Sequence, residues 1–199
     1  MKINWKYILI FIILLIAVCA AIFYWQQNKA LLAPLVSLEP INQNTSNWKT
    51  YKNEEYGFEI KYPAEWNYAD RSPQSGKKAS YNKVSYGFNI YFGDGNMAET
   101  PPSRGGTGFV GIMIFNATTN ELFQNAFTSD KKQVVFNGIN AFKIESSVGI
   151  ADSNIEFPAE YLIFENNGKA FVISFENSDT RGALNQTFSN MLSTFKLAK

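Results

Sequence analysis

Histidine is absent from this chain of 199 residues, and cysteine occurs only once. Without an imidazole there is no Ser-His-Asp triad, no Cys-His dyad, no histidine metal ligand and no acid-base group that titrates near neutrality unperturbed. A single Cys leaves no intrachain disulfide and no Cys-x-x-Cys metal knuckle. Neither sign of charge is in excess: 18 Lys+Arg against 17 Asp+Glu give a formal net charge of +1. That balance excludes the electrostatic footprint of a nucleic-acid binder. No cofactor is expected, and any catalysis would fall to Asp and Glu alone. What the chain does have is apolar and aromatic mass, 46% and 16% of its residues.

The first concentration of that mass is residues 7–25, an uncharged run from Tyr7 to Trp25. As a helix it would be about 29 Å long, which matches a bilayer core of about 30 Å. Trp5 and Tyr7 stand at one end, and Phe23, Tyr24 and Trp25 at the other. Amphipathic rings favour both membrane boundaries. Lys2 and Lys6 precede the run, and the next charge is Lys29. Positive flanks stay in the cytoplasm, so the expected arrangement has residues 1–6 inside, a signal anchor at 7–25, and the remainder outside the cytoplasm. Two other readings use the same residues. A cleaved signal peptide would be cut near Val18-Cys19-Ala20 or Cys19-Ala20-Ala21, and a lipoprotein would be acylated at Cys19. Against them, the apolar run continues through Ile22, and Val18 stands where lipoprotein processing needs a small residue.

Residues 26–47 read as a linker, with Pro34 and Pro40 breaking helices and a polar stretch at its end. Residues 48–199 are enough for one domain with a core of its own. Strand patterns cover 48–53, 58–62, 84–92 and 108–115. In 58–62, Phe58, Ile60 and Tyr62 alternate with Glu59 and Lys61. Two hairpins are expected: 133–136 with 139–146 around Asn137-Gly138, and 156–165 with 170–176 around Asn166-Asn167-Gly168-Lys169. Thr118 and Glu121 have capping-box spacing ahead of Leu122, Phe123, Ala126 and Phe127. A second helix is expected from near Asp179, with Leu184, Phe188, Met191, Leu192 and Phe195 as its apolar stripe. The fold class is therefore α+β: an antiparallel β-sheet with helices packed on it, preceded by one transmembrane helix.

The stretch Y-K-N-E-E-Y-G-F-E-I-K-Y-P-A-E-W, residues 51–66, resembles the opening of PsbP-like domains. Residues 188–196 resemble their closing helix. PsbP is the extrinsic subunit of photosystem II, and bacteria carry many anchored relatives. The resemblance implies an antiparallel sheet sandwiched by helices and a role in binding other subunits rather than in catalysis. It brings no catalytic or metal-binding residue with it. Tyr56, Gly57, Phe58, Tyr62, Pro63 and Trp66 have sufficient reason in turn chemistry and packing.

The loop 93–107 opens with Gly93-Asp94-Gly95-Asn96 and closes with Arg104-Gly105-Gly106-Thr107. It lacks the Lys-Ser/Thr pair and following helix of a phosphate loop, and the later ligands of a calcium loop. Long loops often bind partners, which makes Asp94, Asn96 and Arg104 the candidate binding residues. Glu54 with Glu55, and Glu156 with Glu160, are the carboxylate pairs a hydrolase would need. Three function classes stay open: a tethered interaction or assembly module that holds another envelope protein, a binder of a small ligand or envelope polymer, and an Asp/Glu hydrolase. The first accords best with the missing catalytic groups. A reporter fused after Lys199 is expected to be active only outside the cytoplasm; cytoplasmic activity would overturn the orientation that Lys2 and Lys6 set.

Overall fold

The computed structural model of the chain describes residues 18, 36–37, 44–95, 108–149, 156–177 and 183–198. The chain divides into two compact units, Met1–Leu35 and Val36–Lys199. Only Val18, in helical backbone, is described in the first unit, so the expected span at 7–25 and most of the linker lie outside the described residues. Among the described residues no helix is long and apolar enough to cross a membrane.

In chain order the second unit contains β1 (Val36–Ser37), β2 (Lys49–Asn53), β3 (Phe58–Tyr62), β4 (Asn67–Asp70), β5 (Ala79–Tyr81), β6 (Val84–Gly93), β7 (Gly108–Phe115), α1 (Thr119–Asn125), β8 (Lys132–Phe136), β9 (Ile139–Gly149), β10 (Glu156–Asn166), β11 (Lys169–Asn177), α2 (Ala183–Thr194) and β12 (Lys196–Leu197). Two sheets form where the sequence suggested one. The larger runs β1-β8-β9-β10-β11-β7-β6-β4, with β5 also pairing to β6, and the smaller runs β12-β3-β2. The described pairings are antiparallel except β1 with β8, where Val36 lies opposite Val134. Part of the segment read as linker thus adds to the sheet edge.

Side-chain alternation assigns the faces. On β11, Phe171, Ile173 and Phe175 join the core shared with the small sheet and α2, whereas Ala170 and Val172 join the core under α1. The large sheet is therefore covered by α1 on one face and by α2 with the small sheet on the other. The capping box forms as read: the Glu121 amide donates to the Thr118 hydroxyl at 3.3 Å, and the Thr118 amide donates to the Glu121 carboxylate at 2.8 Å. The helix is shorter than its apolar pattern, with Ala126 as C-cap and Phe127 beyond it. Phe195 likewise sits just after α2, buried, and Asp179 lies outside the described residues.

The hairpin turns form at Asn137-Gly138 and Asn167-Gly168, all four residues having positive φ. A third turn of this kind, Asn82-Lys83, joins β5 to β6. Lys83 takes φ 70° without a glycine's freedom, at a cost of about 1–2 kcal/mol, so the sequence offers no turn signal there. Asn137 has a second task. Its side-chain amide donates to the Leu192 carbonyl at 2.8 Å, which also accepts from the Phe195 amide, and to the Phe195 carbonyl at 2.9 Å, fastening the end of α2.

The motif at residues 51–66 is built around one turn. The Tyr56 amide donates to the Asn53 side chain at 2.8 Å, Gly57 takes φ 65°, and the Ala198 amide donates to the Gly57 carbonyl at 2.7 Å. Phe58, Tyr62, Pro63 and Trp66 are buried. The Trp66 amide donates to the Pro63 carbonyl, and the Lys49 ammonium donates to the Trp66 carbonyl, both at 3.1 Å. Trp66→Ala is expected to cost about 3–5 kcal/mol in urea unfolding. A loss under about 1 kcal/mol would mean that the indole contributes no core packing.

Candidate functional site

Of the residues singled out in the long loop, Asp94 stands exposed directly after β6, while Asn96 and Arg104 lie outside the described residues. In each acidic pair one carboxylate, that of Glu54 or Glu160, is engaged with lysine, and the Glu156 side chain lies outside the described residues. Glu54 is bound to Lys52 at 3.0 Å. Glu160 faces Glu145 across the β9–β10 ladder, and Lys143 joins them, 3.2 Å from Glu145 and 3.1 Å from Glu160. Hydrogen bonds from Lys143 and Lys132 hold the Glu145 carboxyl below its usual range. Burial opposes the Lys143 charge, but its bonds to Glu160 and Glu145 outweigh this and raise its pKa. The Glu145 carboxyl is thereby held ionised rather than as a proton donor. Among the described residues, no group of three or more potential metal ligands comes together.

An open cleft lies between the β2–β3 turn and the segment after β4. Its volume is about 400 Å³. Asn53 and Glu55 form one wall, Asp70, Ser72 and Ser75 the other, and Gly87 the floor. The floor is low for a structural reason. The β6–β7 register slips between Tyr86 and Phe88, and a Cβ on Gly87 would lie 2.5 Å from the Tyr56 hydroxyl. A larger residue there would have to push the Tyr56 hydroxyl aside. Burial raises the Tyr56 phenol pKa, and the neighbouring Glu55 carboxylate adds to the effect. Burial also raises that of Tyr51; its hydrogen bond with Asn53 works against the rise and the Asp70 charge adds to it. Tyr68, two residues before Asp70, remains 49% exposed. Its ring packs on Tyr51 at 5.3 Å and on Phe92 at 6.1 Å. An adjoining depression of about 390 Å³ shares Pro73, Ser75 and Gly87 with the cleft and carries Lys77 and Lys78.

A second cluster lies on the α1 face of the large sheet. Tyr91, Gly111, Ser174 and Tyr161 follow one another across four strands. Gly111 leaves space that the Tyr91 ring and Ser174 hydroxyl occupy, 3.1 and 2.5 Å from where its Cβ would be. Glu176 is on the same face of β11, two residues beyond Ser174. Burial pushes its carboxyl up to about 7. Burial, with the Glu176 charge, pushes the Tyr161 phenol up to about 12. This cluster was missed in the sequence, although its signal was there: Ser174 and Glu176 are polar on a face where Ala170 and Val172 are apolar. Because the folded carboxyl binds its proton more tightly than the unfolded one, stability is full below about pH 4.5 and falls as pH rises through about 7. Glu176→Gln is therefore expected to be more stable than the natural chain by about 1–3 kcal/mol near pH 8, and equal to it near pH 4. Equal unfolding midpoints at both pH values would show that the carboxyl is solvated.

No family model and no curated protein sequence matches the chain. Among solved structures it is similar to a crystal structure from Bacteroides thetaiotaomicron VPI-5482, with a TM-score of 0.49 and 16% identity over 77% of this chain and 49% of that one. It thus spans about half the length of that protein. It is also similar to the solution structure of cyanobacterial PsbP (CyanoP) from Synechocystis sp. PCC 6803, with a TM-score of 0.45 and 16% identity over 83% of this chain and 99% of that one. A PsbP protein, from the family that residues 51–66 resemble, is therefore among the structural neighbours of this chain.

Proposed function

We propose that the chain is a membrane-anchored, extracytoplasmic accessory domain with PsbP-like α-β-α layering, which binds another envelope protein and does not catalyse. Residues 7–25 are its bilayer anchor in this reading, and Lys2 and Lys6 its cytoplasmic flank. The observation that carries the reading is the open, polar-walled cleft over Gly87; a half-exposed Tyr68 lies two residues before its Asp70 and packs on Tyr51. Tyrosine offers a rigid apolar body with a polar tip, which is why it is enriched where proteins meet. The converging acids elsewhere are tied up by lysine, whereas the cleft stands open. A second reading draws on the same ring: a half-exposed tyrosine face suits a flat-faced ligand such as a sugar of an envelope polymer.

The test is photo-crosslinking of the full chain in its own membrane, with a photoreactive residue replacing Tyr68. The expected result is one protein adduct that Asp70→Lys diminishes and that a probe at exposed Asn120 does not form. An adduct with glycan alone would support the polymer reading instead. Identical adducts from both probe positions would overturn a specific role for the cleft.

A further inference from the structure

Resting on that reading of the cleft, we infer that the groove over Gly87 recognises an extended peptide segment of the partner that carries a basic side chain beside an acidic one. The two adjoining depressions meet at Gly87 and Ser75, and they differ in charge. Glu55 and Asp70 line one, whereas Lys77 and Lys78 line the other. The groove is therefore dipolar along its length.

These charges form no ion pair among the described residues, although Glu55 accepts a hydrogen bond from the Tyr56 hydroxyl. Elsewhere the described lysines and acids pair readily: Lys52 with Glu54, Lys196 with Glu59, and Lys143 with two glutamates. Among the described residues, none of Glu55, Asp70, Lys77 and Lys78 makes an ion pair. The Asp70 carboxylate accepts one bond, from the Ser72 amide at 2.8 Å, which orients it and leaves its charge uncompensated. Opposite charges in neighbouring depressions select a ligand with the complementary order and reject one of single sign.

The two pairs of charges favour a polypeptide over a neutral sugar. Gly87 is skipped by the β6–β7 register, and the Tyr56 hydroxyl and Asn116 side chain lie over it, so the groove bottom is polar. An extended peptide sets side chains to either side of its main chain, where a basic and an acidic one can meet the two pairs. A neutral sugar would use the hydroxyls of Ser72 and Ser75 and the Tyr68 ring, but neither pair of charges.

The experiment uses the full chain in detergent micelles and fluorescence anisotropy with four labelled probes. These are a peptide containing lysine and glutamate, a lysine-only peptide, a glutamate-only peptide, and chitotetraose. The mixed peptide is expected to bind tightest and to weaken as salt rises. Glu55→Gln with Asp70→Asn should weaken the mixed and lysine-only peptides about fivefold, and Lys77→Gln with Lys78→Gln should do the same for the mixed and glutamate-only peptides. Unchanged melting temperatures would show that both variants remain folded. Equal binding of mixed and single-sign peptides, indifference to both double variants, or binding of chitotetraose alone would each overturn the inference. Failure of every peptide while the Tyr68 adduct still forms would sink this inference and leave the reading of the cleft intact. Loss of the adduct as well would remove both.

Discussion

The stacking of Phe58 on Phe195 holds the two sheets and the last helix in one arrangement. The rings are 5.7 Å apart and nearly parallel, and Phe58 is 1% exposed. Phe58 also meets Phe88 and Phe171 edge-on, at 5.7 and 6.2 Å. One side chain of the small sheet therefore touches the end of α2 and two strands of the large sheet. Aromatic pairs prefer these offset and edge-on geometries, which restrict how the elements can rotate against each other. Phe58 directly follows Tyr56-Gly57, so the same contacts fix the turn that walls the cleft. The cleft inherits its shape from the core.

Electrostatics divides the molecule differently. On the α2 face, Lys143 is spent on holding Glu145 and Glu160. On the α1 face, Glu176 is desolvated and gives the sheet a group that titrates near neutrality in a chain with no histidine. In the cleft, the exposed charges of Glu55, Asp70, Lys77 and Lys78 make no ion pair among the described residues. These are three distinct settings of charge: internal fastening, a protonation-sensitive spot and an exposed set of both signs.

The strands were legible in the sequence because β3 and β6 to β11 alternate or carry strong turn signals. Phe58, Ile60 and Tyr62 reveal their face directly, and Asn137-Gly138 marks its turn. The strands that escaped notice lack such marks. β1 and β12 are two residues long and exist through pairing with a partner strand rather than through propensity. β4 and β5 lie at the β6 side of the sheet, mostly exposed, and their turn has a lysine where glycine would announce it. The cleft was illegible for a related reason. Its walls come from segments around residues 53–55 and 70–75, and its floor from Gly87. Only the bulge and the packing of Tyr56 bring them together. Local pattern carries no information about such a meeting.

The Asn137 amide that caps α2 also sets an order of events. Its acceptors lie 55 and 58 residues further along the chain. β12 closes the small sheet from even farther away, pairing Leu197 with Phe58. Contacts of such sequence separation form late, because a long loop must close before they repay its entropy. A chain that emerges amino end first can assemble the β8–β11 meander as it appears. The third strand of the small sheet must wait for residues 196–197. The stack of Phe58 on Phe195 is thereby among the last contacts the molecule acquires, and a chain that has not yet reached residue 195 lacks it.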